Sequence, residues 1–221
     1  MKRSHESAVL RCAVLILAAA SGAPSGAQPA PAAAPPRHEV AIEAGVPVKM
    51  RDGVTLVADV YRPKTPGRFP VLLKRTPYDR RETDTGTALA SRGYIVILQD
   101  TRGRFDSGGE FYPFLHESED GYDTVEWAAA LDGSSGVVGM FGVSYEGATQ
   151  MLAAIARPPH LRAVLPFVTA SEYYDGWTYQ GGAWMQNFSS TWATGLALDT
   201  LRRRDTRSRS RPACRSRCAT A

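Results

Sequence analysis

The sequence predicts an α/β fold built on a mostly parallel sheet, and three observations carry that reading. Four short, nearly continuous apolar runs fit strands buried on both faces: "PVLLKRT" (70–76), "YIVILQD" (94–100), "VVGMFGV" (137–143) and "LRAVLPFV" (161–168). Helix-like stretches separate them, around Thr87–Ser91, at "HESEDGYDTVEWAAAL" (116–131) and at "YEGATQMLAAIA" (145–156). Ahead of them, "HEVAIEAGVPVKM" and "VTLVADVYRP" alternate apolar and polar residues on either side of "RDG" (51–53), the pattern of a β-hairpin turning at Asp-Gly.

The N-terminus reads as an export signal over residues 1–27. Lys2, Arg3 and Arg11 give a positive start, "CAVLILAAA" (12–20) is an apolar run, and "SGA" ending at Ala27 offers small residues for cleavage. The apolar run is well short of the roughly 20 residues that a membrane span needs, so membrane contact is expected only through the signal, and the mature protein is expected outside the cytoplasm. "PAPAAAPPR" then makes 28–37 a Pro/Ala linker. A core of residues 38–168 follows.

Composition excludes several classes. The 221 residues are 43% hydrophobic and 22% charged, as in a soluble globular protein. The net charge of +4 suggests nucleic-acid binding until it is located: of 26 Lys and Arg and 22 Asp and Glu, eight arginines and one acid lie in the last 20 residues, leaving 18 against 21 elsewhere. The body is mildly acidic, and no nucleic-acid partner is expected. Cys12, Cys214 and Cys218 leave residues 28–200 without a cysteine, hence without a disulfide framework or zinc site. No cofactor or metal is expected.

In a parallel sheet, ligands bind at the carboxyl ends of the strands. "RTPYDR" (75–80), "QDTRGRFDSGGEF" (99–111), Ser144 and "TASEYYDGWTYQGGAWMQNF" (169–188) converge on that edge. In the last stretch and just beyond it, Trp177, Trp184 and Trp192 either begin a helical cap over the site, at 169–200, or only bury area between packed elements. Within "GMFGVSYEGATQ" (139–150), Ser144 closes a strand and opens a helix between Gly142 and Gly147. G-x-S-x-x-G is weak alone, but a strand-to-helix turn is where a nucleophile elbow lifts its serine above the sheet. The backbone N–H of Tyr145 would then point at a developing oxyanion. Glu146 stands where the common G-x-S-x-G form has its second glycine.

Across about residues 40–195, the blocks "MRDGVTLVADVYRP", "RTPYDR", "SRGYIVILQDTRGRFDSGGEF", "DGYDTVEWAA", "VGMFGVSYEGATQ" and "DGWTYQGGA" together resemble the X-Pro dipeptidyl-peptidase-like, or CocE/NonD, serine hydrolases. The resemblance implies an α/β-hydrolase fold with a helical cap and, in complete members, a β-rich C-terminal domain. It implies Ser144 as nucleophile, with the Tyr78 hydroxyl and the Tyr145 backbone N–H as the oxyanion hole, acting on a small ester or amide. Arg102, Arg104, Asp106 and Glu110 would be structural. Asp175 would either meet a substrate amine or form a salt bridge in the cap.

A serine of this kind needs an adjacent base, and in this fold the order is Ser, Asp or Glu, then His. Only His160 follows Ser144. The intervening helix of about 12 residues carries the chain roughly 18 Å away, so His160 is expected on the surface at the opposite edge. The resemblance puts the acid and histidine after two further strands. From about Leu201 the apolar pattern gives way to "LRRRDTRSRSRPACRSRCATA". The chain thus reads as C-terminally truncated, with 201–221 an aberrant tail from a frameshift. An Arg/Ser nucleic-acid arm is the alternative for the tail, and a non-catalytic remnant with a ligand pocket the alternative for the whole.

Overall fold

The computed structural model describes residues 37–210, with side chains to Arg203. The expected signal, nearly all of the linker, and the tail beyond Ser210 lie outside the described residues. The six-stranded sheet has β1 (Val40–Lys49), β2 (Thr55–Pro63), β3 (Phe69–Thr76), β4 (Ile95–Asp100), β5 (Ser134–Val143) and β6 (Leu161–Phe167) in the order β1-β2-β4-β3-β5-β6. β1 and β2 form the expected antiparallel hairpin, and β2 also runs antiparallel to β4. β4, β3, β5 and β6 are parallel. The mostly parallel sheet that the apolar runs predicted is the one observed.

The hairpin turn closes through Met50 N–H to the Val54 carbonyl at 2.8 Å, while Asp52 accepts the Val54 amide at 3.1 Å. Short polar side chains at such turns substitute for a backbone partner. α2 (Glu117–Ala129) and α3 (Tyr145–Ala156) cover one face, burying Val125, Ala128 and Ala153 against Leu56, Val71, Leu73, Ile95, Ile97, Val138 and Met140. On the other face lie α1 (Thr83–Ala90) and the cluster Tyr61, Ala90, Val96 and Leu98. Strands with both faces covered must be apolar on both, so β4 is buried throughout.

Two details add to the sequence reading. The run at 161–168 forms β6 at the edge of the described sheet, with Leu165 67% and Phe167 63% exposed. An apolar run specifies a strand and cannot specify its neighbours. Second, beyond the short pair β7 (Tyr179–Gln180) and β8 (Ala183–Trp184), helix α4 runs from Gln186 to Ser210, past Leu201 where the apolar pattern ends. Arginine is a good helix former, so the helix can continue beyond the last apolar residue.

Candidate active site

Ser144 joins the end of β5 to the start of α3 with φ 59° and ψ −119°. That backbone is outside the regions an L-residue prefers and costs on the order of 1–3 kcal/mol. The surroundings impose it. The Ser144 amide donates to the Phe167 carbonyl of β6 at 2.8 Å, and the Ser144 carbonyl accepts Gly147 and Ala148 at 2.9 and 3.0 Å. Strand pairing fixes the residue before the turn and the first helical bonds fix those after it, so the serine takes up the difference.

Both motif glycines have steric reasons. A Cβ on Gly142, at φ +144°, would lie 2.4 Å from the Glu146 Cβ. One on Gly147 would lie 2.8 Å from the Thr169 Cβ. The first lets Glu146 fold back over the turn, and the second lets α3 approach the chain leaving β6. Glu146 itself explains the departure from G-x-S-x-G. Buried, it accepts the Val143 amide at 3.1 Å and faces Lys74 Nζ at 3.5 Å, while Lys74 also binds Glu82 at 2.6 Å. A glycine there could supply neither contact.

Tyr145 divides its backbone from its side chain. As the first residue of α3, its N–H has no acceptor within the helix and sits beside the serine. Its side chain is buried, with the hydroxyl donating to Glu117 Oε1 at 2.8 Å and accepting the Phe114 amide at 2.9 Å. Burial, reinforced by the Glu117 charge, raises the Tyr145 phenol far above its ordinary value, so it stays neutral. Glu117 in turn binds Arg75 at 2.6 Å.

Tyr78 lies two residues beyond β3, the strand next to β5, and so on the same carboxyl edge as Ser144. It is 42% exposed, and its hydroxyl accepts Trp192 Nε1–H of α4 at 3.1 Å. Trp192 also stacks on Phe114 and Tyr145, with centroids 6.0 and 6.1 Å apart. Tyr78 borders a cavity of about 320 Å³ with Arg104, Phe105 and Trp192. Across Trp192, a cavity of about 600 Å³ is lined mainly by Phe111, Pro113, Trp192, Leu196 and Leu201.

The long loop after β4 is held as expected. Arg102 binds Asp120 at 2.6 Å and Asp52 at 2.7 Å, and Asp106 binds Arg80 at 2.8 Å. Arg104, 1% exposed, reaches the Pro77 carbonyl at 2.7 Å, Thr200 Oγ1 at 2.6 Å and Asp199 at 2.6 Å. Burial, with Arg203 nearby, lowers the Arg104 guanidinium from its ordinary value. Hydrogen bonds to Asp120 foremost raise that of Arg102. Glu110 lines the larger cavity.

Asp175 is exposed, its amide bonded to Glu172 at 2.7 Å, and it forms no ion pair among the described residues. His160 is at the far end of α3, exposed, with Nδ1 2.7 Å from Glu126. His38 pairs with Thr65, and His116 precedes α2. Among the described residues no group of His, Cys, Asp or Glu is arranged to hold a metal, and no helix is long and apolar enough to cross a membrane.

Sequence reasoning missed the pairings of Lys74 and Arg75 and the Trp192 contact. The signal for the first was visible: two cations closing an apolar run must find anionic partners if the strand is buried.

Comparison with known proteins agrees with this geometry. A family model for X-Pro dipeptidyl-peptidase (S15 family) matches residues 52–221. Cocaine esterase of Rhodococcus sp. (strain MB1 Bresler) is 41% identical over 150 residues, 64% of this chain and 26% of that protein. A CocE/NonD family hydrolase from Staphylococcus aureus superposes with a TM-score of 0.68 at 28% identity, over 74% of this chain and 34% of its own. An α-amino acid ester hydrolase gives 0.57 at 28% identity, over 71% and 30%. The chain therefore spans about a quarter of the length of the curated relatives it matches.

Proposed function

Because this chain belongs to the X-Pro dipeptidyl-peptidase (S15) family, we propose that it is the nucleophile-bearing part of a serine hydrolase of small esters or amides. The observation that carries the reading is the strained Ser144 backbone between β5 and α3, directly before a free helix-start N–H. Ser144 Oγ attacks the acyl carbon. The carbonyl oxygen takes up the electron pair and is met by the Tyr145 N–H and the Tyr78 O–H, donors of a type worth about 2.7–4 kcal/mol each in the transition state. Collapse expels the alcohol or amine with a proton and leaves an acyl-Ser144 ester, which water hydrolyses.

The proton on Ser144 needs a base. His160 is committed to Glu126 at the surface, so no described residue is assigned that role. Export and action outside the cytoplasm belong to the same reading, supported by the sequence of residues 1–27.

The test is hydrolysis of a p-nitrophenyl ester by the 221-residue chain. The expected outcome is slow turnover that Ser144→Ala lowers to the residual acceleration over water which an oxyanion hole and binding give without a triad serine, about 10³–10⁴-fold. Turnover unchanged in Ser144→Ala overturns the nucleophile assignment. Rapid stoichiometric labelling of Ser144 by a fluorophosphonate overturns the reading that no described residue acts as its base.

A further inference from the structure

Tyr78 is on a short connection after β3, outside any helix or strand, and 42% exposed. A phenol so placed does not hold its hydroxyl still by packing alone, yet an oxyanion donor works only if its position is set before the charge develops. The structure supplies a support from 114 residues further along the chain, the indole of Trp192 at 3.1 Å. The direction of this bond is unambiguous. An indole N–H can only donate, and a hydroxyl keeps its own proton after accepting. The contact therefore occupies a lone pair of Tyr78 and leaves its O–H available.

We propose that Trp192 is a positioning residue for the oxyanion hole, fixing the Tyr78 oxygen and strengthening its O–H as a donor. The proposal rests on the reading of Ser144 as nucleophile. Chains of hydrogen bonds polarise one another, so a phenol that accepts a bond donates a better one. Trp192 is itself fixed by stacking on Phe114 and on Tyr145, the residue whose backbone provides the other donor. One ring thus references both donors to each other. The helix that carries it is held at the same place. Arg104 donates to the Pro77 carbonyl, the residue before Tyr78, and to Asp199 and Thr200 of α4. Tyr78 is tied to α4 through its hydroxyl and through its neighbour's carbonyl.

The test combines two readouts on the full chain. In ¹⁵N–¹H spectra, the Trp192 indole resonance (one of four, identified by its loss in Trp192→Phe) moves upfield in Tyr78→Phe. In p-nitrophenyl ester hydrolysis, Trp192→Phe, which keeps an aromatic ring on Tyr145, lowers the Ser144-dependent kcat about tenfold, a fraction of what deleting a donor costs, with KM nearly unchanged. Added to Tyr78→Phe, it lowers kcat no further. An indole resonance blind to Tyr78→Phe overturns the proposal, as does Ser144-dependent turnover blind to Trp192→Phe, or additive losses in the double variant. Failure of the underlying reading looks different: turnover is then unchanged in Ser144→Ala.

Discussion

The Glu146 carboxylate accepts the Val143 amide at 3.1 Å, so the residue two places after the serine closes back on the residue before it. Lys74, on the adjacent strand β3, holds that carboxylate from the other side at 3.5 Å. The elbow is a closed loop of four residues pinned to the sheet by one charge.

This pin has a measurable strength. Glu146→Ala removes a hydrogen bond to a buried charged acceptor and leaves Lys74 with Glu82 alone. The expected loss is about 2 kcal/mol in urea denaturation, the range for bonds to charged groups. In a Lys74→Met background the same change costs less, because the two side chains act on one another. Equal costs in both backgrounds would show that the pair is not coupled.

The second motif glycine makes a steric prediction. Gly147→Ala puts a methyl 2.8 Å from the Thr169 Cβ and forces α3 away from the chain after β6. Although alanine is the better helix former by about 1 kcal/mol, the variant is less stable than the parent. Combining it with Thr169→Gly recovers most of the loss. Thermal unfolding of the single and double variants decides the matter.

These particulars also show what the sequence made legible. β3, β4 and β5 could be read because burial on both faces demands continuous apolar runs, and Ser144 because two glycines flank it at the end of one. The partners of Lys74, Arg75 and Tyr78 could not. Each is met by a residue on a different element, Trp192 being 114 residues from Tyr78, and no local pattern encodes such a pairing.

Acidification should loosen the segment after β6 locally. Glu172 accepts the amides of Asp175 and Tyr174, both at 2.7 Å, and these bonds hold its carboxyl below its ordinary value of 4.5. A depressed folded value means that the stabilisation is present above 4.5 and lost as pH falls through the lower folded value. Protection factors of the Tyr174 and Asp175 amides should fall over that window and become insensitive to pH in Glu172→Gln.

The β6 edge predicts self-association. Leu165 and Phe167, 67% and 63% exposed, flank an edge strand that another copy can pair with. Leu165→Lys with Phe167→Glu should raise the monomer fraction in sedimentation velocity without changing the helix content. An unchanged oligomer distribution would locate the association elsewhere.

Tyr145 answers to two masters. Its amide faces the reaction space, while its ring and hydroxyl are bolted to Glu117 and Phe114 in the interior. Any substitution there perturbs the scaffold and, on the reading proposed above, the oxyanion site with it, so a library randomised at this position samples mostly damaged folds. Tyr78 carries no such double duty: it is exposed and reaches the rest of the protein chiefly through its hydroxyl. On the reading proposed above, the two donors are therefore constrained differently: the backbone one is set by the fold of the elbow, the side-chain one by its contact with Trp192 of α4.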